Sequence, residues 1–534
     1  MADAFNQSNP AISHSRIANL TFLFTLILVG FGFLQVWLLS GTFCYALDDS
    51  FIMMAISRNL AFHGVWGLTS HEFSSTASSP AFTVLLAIII KIIGDHIWIP
   101  LVINILTLFG LLHWLSKRAK EWNLQIWQTW FLMVGMVLLA PVPVLIFGSM
   151  EHILHLWLAL ICLYRIVEKK PSPPLFWLFV FGLCLGGIRF EGLFEGGLLV
   201  LYLWSEKKWF SGFVFGLGLI IPITALGLYS MSQGWFFLPN SLILKAYHLN
   251  VQETGTAFGY LYSLLHKASY NTHAIAAIFL LFLAKNEKSF PKGPAQNWLL
   301  ILIWASIAHF IFARYSHVYR YEAYLMGMTW IAFWRSLCQS GSFPDSKSIL
   351  NYLSRNKEMA ALIIVLSISP LYRSVKSYVA GTIGMVNIYE QQVQTARFVK
   401  QFYNHSPIAA IDIGALAYYT DSPILDLWGL GSLNMAKLKI AGNYNNQTID
   451  SACRKANVEA ILYYGEKVNF DRWIKAGTWI IQDNMVCAED TIDFYGLTPD
   501  GAQKLQANLR NFEAELPKRV LVQYVDQKPP TQYP

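Results

Sequence analysis

Charge is what this 534-residue sequence has least of: Asp, Glu, Lys and Arg together make up 13% of it, roughly half the share found in soluble domains. With 55% of the residues hydrophobic, that deficit excludes an ordinary soluble protein. Cysteine is scarce too. The six cysteines show no metal-ligand spacing, which argues against a cysteine-held metal. Cys44, Cys162, Cys184 and Cys338 lie in or beside apolar runs, as small buried residues do. Cys453 and Cys487 sit in a more polar tail, where an oxidising compartment would let them pair. The formal charge of +7 is spread among short segments and forms no basic stripe that would track phosphates, so nucleic acid is not an expected partner. No internal repeat and no low-complexity segment stands out.

What the sequence does have is long uncharged runs. Ile17–Ser40, Ile126–Phe147 and Trp209–Met231 each exceed twenty residues without a charge, and a helix needs roughly 20 apolar residues to cross a bilayer. The first run is too long for a signal-peptide core and lacks a small-residue cleavage site after it, so it is expected to stay as the first span. Basic clusters mark the cytoplasmic side: Lys117–Arg118–Lys120, Arg165 to Lys170, Lys207–Lys208, Lys285 to Lys292 and Lys347 to Lys357. The polar turns between them then face outward. These include a first outer loop at 41–79, the turns Phe147–His152, Arg189–Glu195 and Arg314–Glu322, and a large outer loop at 233–270.

The reading gives about eleven crossings with the amino terminus cytoplasmic. Ala81–Ile93 and Ile97–Ser116 read as two helices broken at Gly94–Asp95, the first partial or interfacial. Leu175–Ile188 and Ala274–Ala284 fall short of a full span and need flanking residues or a thinned bilayer. The chain thus divides into a membrane domain, 1–376, and an extracytoplasmic tail, 377–534, of ordinary globular composition. In the tail Ile408–Ile413 and Ala460–Tyr464 read as buried strands of a small mixed α/β domain.

Asp48 and Asp49 follow the first span closely. Two adjacent carboxylates at a membrane boundary are costly unless they meet a cation or share a task, although capping the helix expected over Ser50–Phe62 would also account for one of them. Arg58 and Asn59 lie further along that helix, followed by His63–Gly64, Trp66–Gly67 and Ser78–Ser79–Pro80. This D-D-S-F-I…R-N-L…G…S-S-P pattern resembles the first outer loop of GT-C glycosyltransferases, in particular the branch holding the mycobacterial terminal arabinofuranosyltransferases. Gly148–Ser149–Met150–Glu151 resembles that branch's S-G-L-E turn, with Met for Leu and the first two residues exchanged. Leu238–Pro239–Asn240–Ser241 with Lys245 resembles its L-P-N-T…K segment, and Arg320–Tyr321–Glu322–Ala323–Tyr324–Leu325 its R-Y-E-x-Y-L stretch. Asp412–Ile413–Gly414–Ala415 through Tyr419, and Ile424 to Leu430, resemble the D-x-G-A-x-x-Y…D-L-x-G-L segment of its tail.

The resemblance implies a GT-C-like α-helical polytopic membrane protein with a C-terminal α/β domain. It implies a sugar on polyprenyl phosphate as donor, a catalytic Asp in the first outer loop, and residence in the inner membrane of a bacterium with the active site outside. The chemistry asks for a base to take the acceptor proton and for cationic or hydrogen-bonding groups to hold the leaving phosphate. Asp49 or Asp48 is the expected base, the other holding the acceptor or a metal. Arg58, Arg189, Lys245 and Arg320 are the candidate phosphate holders, with Asn59, Glu151, Asn240 and Glu322 as further substrate contacts. Simple ion pairs, Arg189 with Glu191 and Arg320 with Glu322, are the competing readings. Glu195, at an outer helix end, reads equally as a helix–helix contact. His71 and Glu72 would offer a divalent ion two ligands, but no paired His spacing supports a metal site. The tail carries no catalytic signature and reads as a lid or acceptor-docking domain, with Asp412 and Asp426 in turn or capping roles.

The expected reaction is an inverting transfer of one sugar to a glycan, lipid or protein acceptor on the outer face, by a monomer. A ligase or polymerase taking a diphosphate-linked donor is the near alternative. A lipid-linked-sugar transporter would need inverted repeats and acids at the mid-plane, whereas these acids gather at outer ends.

Overall fold

The computed structural model of the chain describes residues 13–169, 171–244, 293–313, 320–339, 354–355, 357–464 and 472–525. Helix α1 (His14–Ser40) opens on Ser13, whose hydroxyl accepts the Arg16 N–H, and closes on Gly41 with a left-handed φ of 66°. Its outward face carries Leu23, Ile27, Trp37 and Leu38, the last 75% exposed. An apolar face turned outward inverts the pattern of a soluble helix and suits lipid.

The chain continues through α2 (Asp48–His63), α3 (Pro80–Ile93), α4 (Ile99–Glu121), α5 (Ile126–Leu139), α6 (Val142–Gly148), α7 (His152–Leu163), α8 (Leu175–Ile188), α9 (Gly192–Ser205) and α10 (Trp209–Ser232). After 293 follow α11 (Pro294–Phe312), α12 (Ala323–Gln339) and α13 (Lys357–Ile388). Among the described residues α1, α4, α10 and α11 are long and apolar enough to cross a membrane, while α3, α8 and α9 are apolar but shorter. The run Ile126–Phe147, expected as one span, is bent by 44° between α5 and α6. Pro141 sits at the bend and has no N–H to continue the helix. Of the expected spans, Ala274–Ala284 lies outside the described residues, as does the large outer loop beyond Leu244.

Helices α8 and α10 approach closely because their facing residues are small. A Cβ at Gly186 would meet the backbone of Leu219, and such close packing holds helices together where lipid removes the hydrophobic drive. Charge inside this part is paired: His155 Nε2 lies 2.7 Å from Glu195 Oε1, and Arg335 Nη2 2.6 Å from Glu168 Oε1. Glu195 therefore takes the helix–helix role.

The division drawn at 376/377 falls inside α13, which runs unbroken to Ile388 and continues through a wider turn, Tyr389–Val393, into α14 (Gln394–Phe402). One helix thus carries the chain out of the apolar bundle into the α/β domain. There β1 (Ile408–Ala410), β2 (Ile424–Asp426), β3 (Ala460–Tyr463), β4 (Ile474–Ile480), β5 (Thr491–Gly496) and β6 (Leu521–Tyr524) form one sheet in the order β2-β1-β3-β5-β4-β6. The first three strands are parallel, with Ile408 opposite both Ile424 and Ala460; the rest are antiparallel. Between the strands lie α15 (Gly414–Tyr419), α16 (Leu433–Ile440), α17 (Asn446–Lys455) and α18 (Pro499–Phe512). Phe398 of α14, Trp479 and Phe494 of the sheet, and Phe512 of α18 pack together, the Trp479 and Phe512 rings stacked at 5.8 Å.

Cys453 and Cys487 do not pair. Cys453 is buried among Ala409, Leu427 and Ile461 on one side of the sheet, whereas the Cys487 thiol lies 3.5 Å from Gln392 Oε1, beside α14.

Candidate functional site

The two adjacent aspartates occupy the first turn of α2, behind Leu47 rather than at the cap. Successive helical side chains point ~100° apart, and the two carboxylates go to different neighbours. Both oxygens of Asp48 accept backbone N–H groups at the start of α15, from Gly414 at 2.7 Å and Ala415 at 2.8 Å. Asp48 thus caps a helix of the α/β domain from across the seam, and it lines neither cavity described below. Enclosure of the carboxyl at this seam, with the Asp412 carboxylate nearby, pushes its pKa up, against the pull of the two N–H donors. Asp412 lies under the same seam, accepting from Tyr464 Oη at 2.6 Å and Gln392 Nε2 at 2.7 Å.

This seam makes a prediction. Asp48→Asn keeps one acceptor oxygen but turns its amide NH2 toward the other N–H, and should cost about 1–3 kcal/mol, as a buried donor left without an acceptor does. Gly414→Ala should loosen the same contact without touching an acid, because its Cβ would sit 2.7 Å from the Asp48 carboxylate carbon and clash with the carbonyl. In limited proteolysis of the purified protein both variants should release the α/β domain faster than wild type. Wild-type cleavage rates in both would disprove the latch.

Asp49 faces the other way. Its carboxylate pairs with Arg320, and the pair is graded in exposure: the Arg320 side chain is 10% exposed, that of Asp49 39%. Arg320 also reaches Tyr321 Oη at 3.0 Å and Met150 Sδ at 3.2 Å. The Tyr321 ring stands between two guanidinium groups, 4.9 Å from that of Arg320 and 5.4 Å from that of Arg189. Arg189, buried at the end of α8, grips both oxygens of Glu191 at 3.1 and 2.6 Å and also pairs with Glu151. Burial alone would push the Glu191 carboxyl up, but the Arg189 charge beside it brings it down to about 2.

Two cavities meet at this cluster. One, of about 270 Å³, is lined by Asp49, Thr76, Ser78, Ser241, Arg320 and, from the α/β domain, Trp428 and Leu430. The other, of about 520 Å³, has mostly apolar walls, including Phe190, Phe194, Leu238, Leu242 and Phe312, with Arg189 and Glu191 at its polar side. Phe312 is 74% exposed, so these walls reach exposed apolar surface. Asp49, Ser78, Met150, Arg320 and Tyr321 line both.

Of the expected site residues, the structure gathers Asp49, Glu151, Arg189 and Arg320. Arg58 is turned away: its guanidinium donates to the Ala417 and Tyr418 carbonyls at the end of α15. Asn59 donates to the Gly67 and Leu68 carbonyls, both at 2.9 Å, closing the turn after α2. Asn240 donates to the Gly429 carbonyl at 2.9 Å and ties its segment to the α/β domain. Glu322 pairs with the buried Arg373 of α13, not with Arg320; Arg320 is drawn to Asp49 instead. Lys245 lies outside the described residues. His71 and Glu72 are exposed, and no group of three or more His, Cys, Asp or Glu side chains able to hold a metal occurs among the described residues. Asp426 takes the expected turn role, accepting N–H groups from Trp428, Gly429 and Gly431.

Tyr321, Met150 and Trp428 were not singled out from the sequence, although each stands inside a stretch that was. Nothing in a linear reading separates an aromatic residue that walls a cavity from one that packs a core.

Residues 386–495 match the model of a domain of unknown function, DUF8728. No curated protein matches the chain. Among solved structures, the crystal structure of ArnT from Cupriavidus metallidurans bound to undecaprenyl phosphate is similar over 90% of this chain and 98% of that one, at 12% identity and a TM-score of 0.48.

Proposed function

We propose that this chain is a membrane glycosyltransferase that moves one sugar from a polyprenyl-phosphate donor to an acceptor hydroxyl at the outer face, with Asp49 as the base. The observation that carries the reading is the Asp49–Arg320 pair at the junction of a small cavity of mixed lining and a larger apolar one that reaches exposed apolar surface. An isoprenoid tail fits the apolar cavity, and an acceptor fits the smaller one. Their reacting ends would meet at Asp49.

The chemistry follows from charge. An arriving phosphate competes with Asp49 for Arg320 and, once held, leaves the carboxylate free to accept a proton. The acceptor oxygen attacks the anomeric carbon as its proton passes to Asp49. The bond from that carbon to the phosphate oxygen breaks, and the electron pair leaves with the phosphate, which Arg320 and Arg189 stabilise. A single displacement of this kind inverts the anomeric centre. A buried guanidinium is worth more to a leaving anion than an exposed one, because water is excluded around it.

A purified preparation offered polyprenyl monophosphate sugars and polyprenyl diphosphate sugars in parallel should release polyprenyl phosphate and transfer sugar from the monophosphate series alone. Turnover of the diphosphate series only would mean a ligase or polymerase. Turnover of neither, with lipid-linked sugar instead appearing in the opposite leaflet, would mean a transporter.

A further inference from the structure

The α/β domain does more than cover the membrane part: it supplies a wall of the smaller cavity. The loop after β2 is held rigid by Asp426, whose carboxylate takes the N–H groups of Trp428 at 2.7 Å, Gly429 at 3.0 Å and Gly431 at 2.5 Å. Two contacts then fix this loop to the membrane part. Asn240 holds the Gly429 carbonyl, and Thr76 Oγ1 holds that of Leu430 at 3.3 Å. The result is an indole, 40% exposed, standing in the same small cavity as Asp49. The Lys439 ammonium covers one face of the ring at 3.5 Å from its centre; Lys439 does not itself line the cavity. The rest of the lining mixes polar residues, Thr76, Ser78 and Tyr321 among them, with apolar ones such as Ile52 and Leu244, and the hydroxyl of Ser241, a residue only 7% exposed, has no hydrogen-bond partner.

We infer that Trp428 and Ser241 form a subsite for a single sugar ring of the acceptor, the indole covering the ring's C–H face and the Ser241 hydroxyl meeting one of its hydroxyl groups. An indole that is immobilised yet part-exposed, beside an unsatisfied buried hydroxyl, suits a ligand with one apolar face and a polar edge. A sugar ring has both. An acyl chain would leave the Ser241 hydroxyl unpaired, which is costly, and a flat polar ligand would gain nothing from the indole. At about 270 Å³ the cavity is smaller than the ~300–1,000 Å³ of pockets that enclose drug-sized ligands, so it takes one terminal ring and leaves any longer glycan outside. The acceptor class is therefore a glycan terminus. This inference rests on Asp49 being the base, since the subsite is defined by what it would present to that carboxylate.

The test uses full-length protein in lipid nanodiscs, with methyl glycosides of common hexopyranoses and pentofuranoses as probes and saturation-transfer NMR as readout. Binding of undecaprenyl phosphate is measured on the same samples. At least one glycoside should bind wild type and weaken by about tenfold in Trp428→Ala, the loss expected when an aromatic anchor is truncated. Trp428→Phe, which keeps an aromatic face, should stay within about threefold, and Ser241→Ala should weaken binding without affecting the lipid. Equal glycoside binding in wild type and Trp428→Ala would overturn the inference, as would no glycoside binding to wild type that still binds the lipid. Loss of lipid and glycoside together in both Trp428 variants would overturn it too, by making the loop structural. Trp428-dependent glycoside binding without any transfer would leave the subsite standing and sink the transferase reading. Normal transfer with Trp428-independent binding would do the reverse.

Discussion

Asp49→Asn should lower sugar transfer by about 10²–10⁴-fold, the contribution of a general base, while leaving the protein folded and its hold on polyprenyl phosphate no weaker. Asn fills the same space but cannot take the acceptor proton. Two features make this variant informative. Asp49 is 39% exposed, so water can take its place beside the more buried Arg320, and retained lipid binding in the variant separates lost catalysis from collapse. Asn also removes the negative charge that a phosphate must displace from Arg320, so lipid affinity is expected to hold or rise. Asp48→Asn separates the neighbours, because it disturbs the seam with α15 and leaves the base in place. Full activity in Asp49→Asn, or inactivity confined to Asp48→Asn, would move the base elsewhere.

Arg320→Ala should cost about 10²–10³ in the rate of transfer, the range for removing one donor from a developing negative charge. Arg320→Lys should recover part of it, since an ammonium keeps the charge but loses the fork that holds two partners at once. Here Arg320 bridges Asp49, Tyr321 and Met150, and a lysine can satisfy only some of these. The measurement is kcat against KM for the lipid donor. A loss mainly in kcat places Arg320 at the transition state, whereas a pure rise in KM would make it a docking residue only. Arg189 is a poorer target for this question. Its removal would strand Glu151, which has no exposed surface, beside Glu191, and an unpaired buried carboxylate destabilises the fold itself.

The apolar bundle was largely legible because membrane helices announce themselves by length. α1 and α10 begin and end within three residues of the uncharged runs, and α8 spans Leu175–Ile188 as expected. The misreadings have local causes. Pro141 sits within an unbroken apolar run, and hydropathy does not register the N–H that proline lacks. The domain boundary was set at 376/377, where the composition turns to that of an ordinary globular tail. Composition does not register that one helix, Lys357–Ile388, runs through that change.

In the candidate site, the sequence offered the residues that meet without offering their connections. Asp49 and Arg320 were both candidates, yet they lie 271 positions apart, and nothing in a single sequence says that they meet. The two aspartates could not be told apart, because the partners of Asp48 are backbone N–H groups of Gly414 and Ala415, which leave no side-chain signature. Arg58 and Asn59 were chosen for charge and polarity, and both are occupied by backbone carbonyls. Polar groups near a helix end meet the backbone's unsatisfied groups as readily as they meet a substrate.

If Asp49 is the base, the polyprenyl phosphate head group must dock beside it. A structure of the protein in nanodiscs with undecaprenyl phosphate tests it directly. Phosphate density is expected within hydrogen-bond distance of the Arg320 guanidinium, with the isoprenoid running along Leu238, Leu242 and Phe312, and the Asp49 carboxylate released from Arg320. Phosphate density that touches neither Arg320 nor Arg189, with the Asp49–Arg320 pair intact, would contradict it.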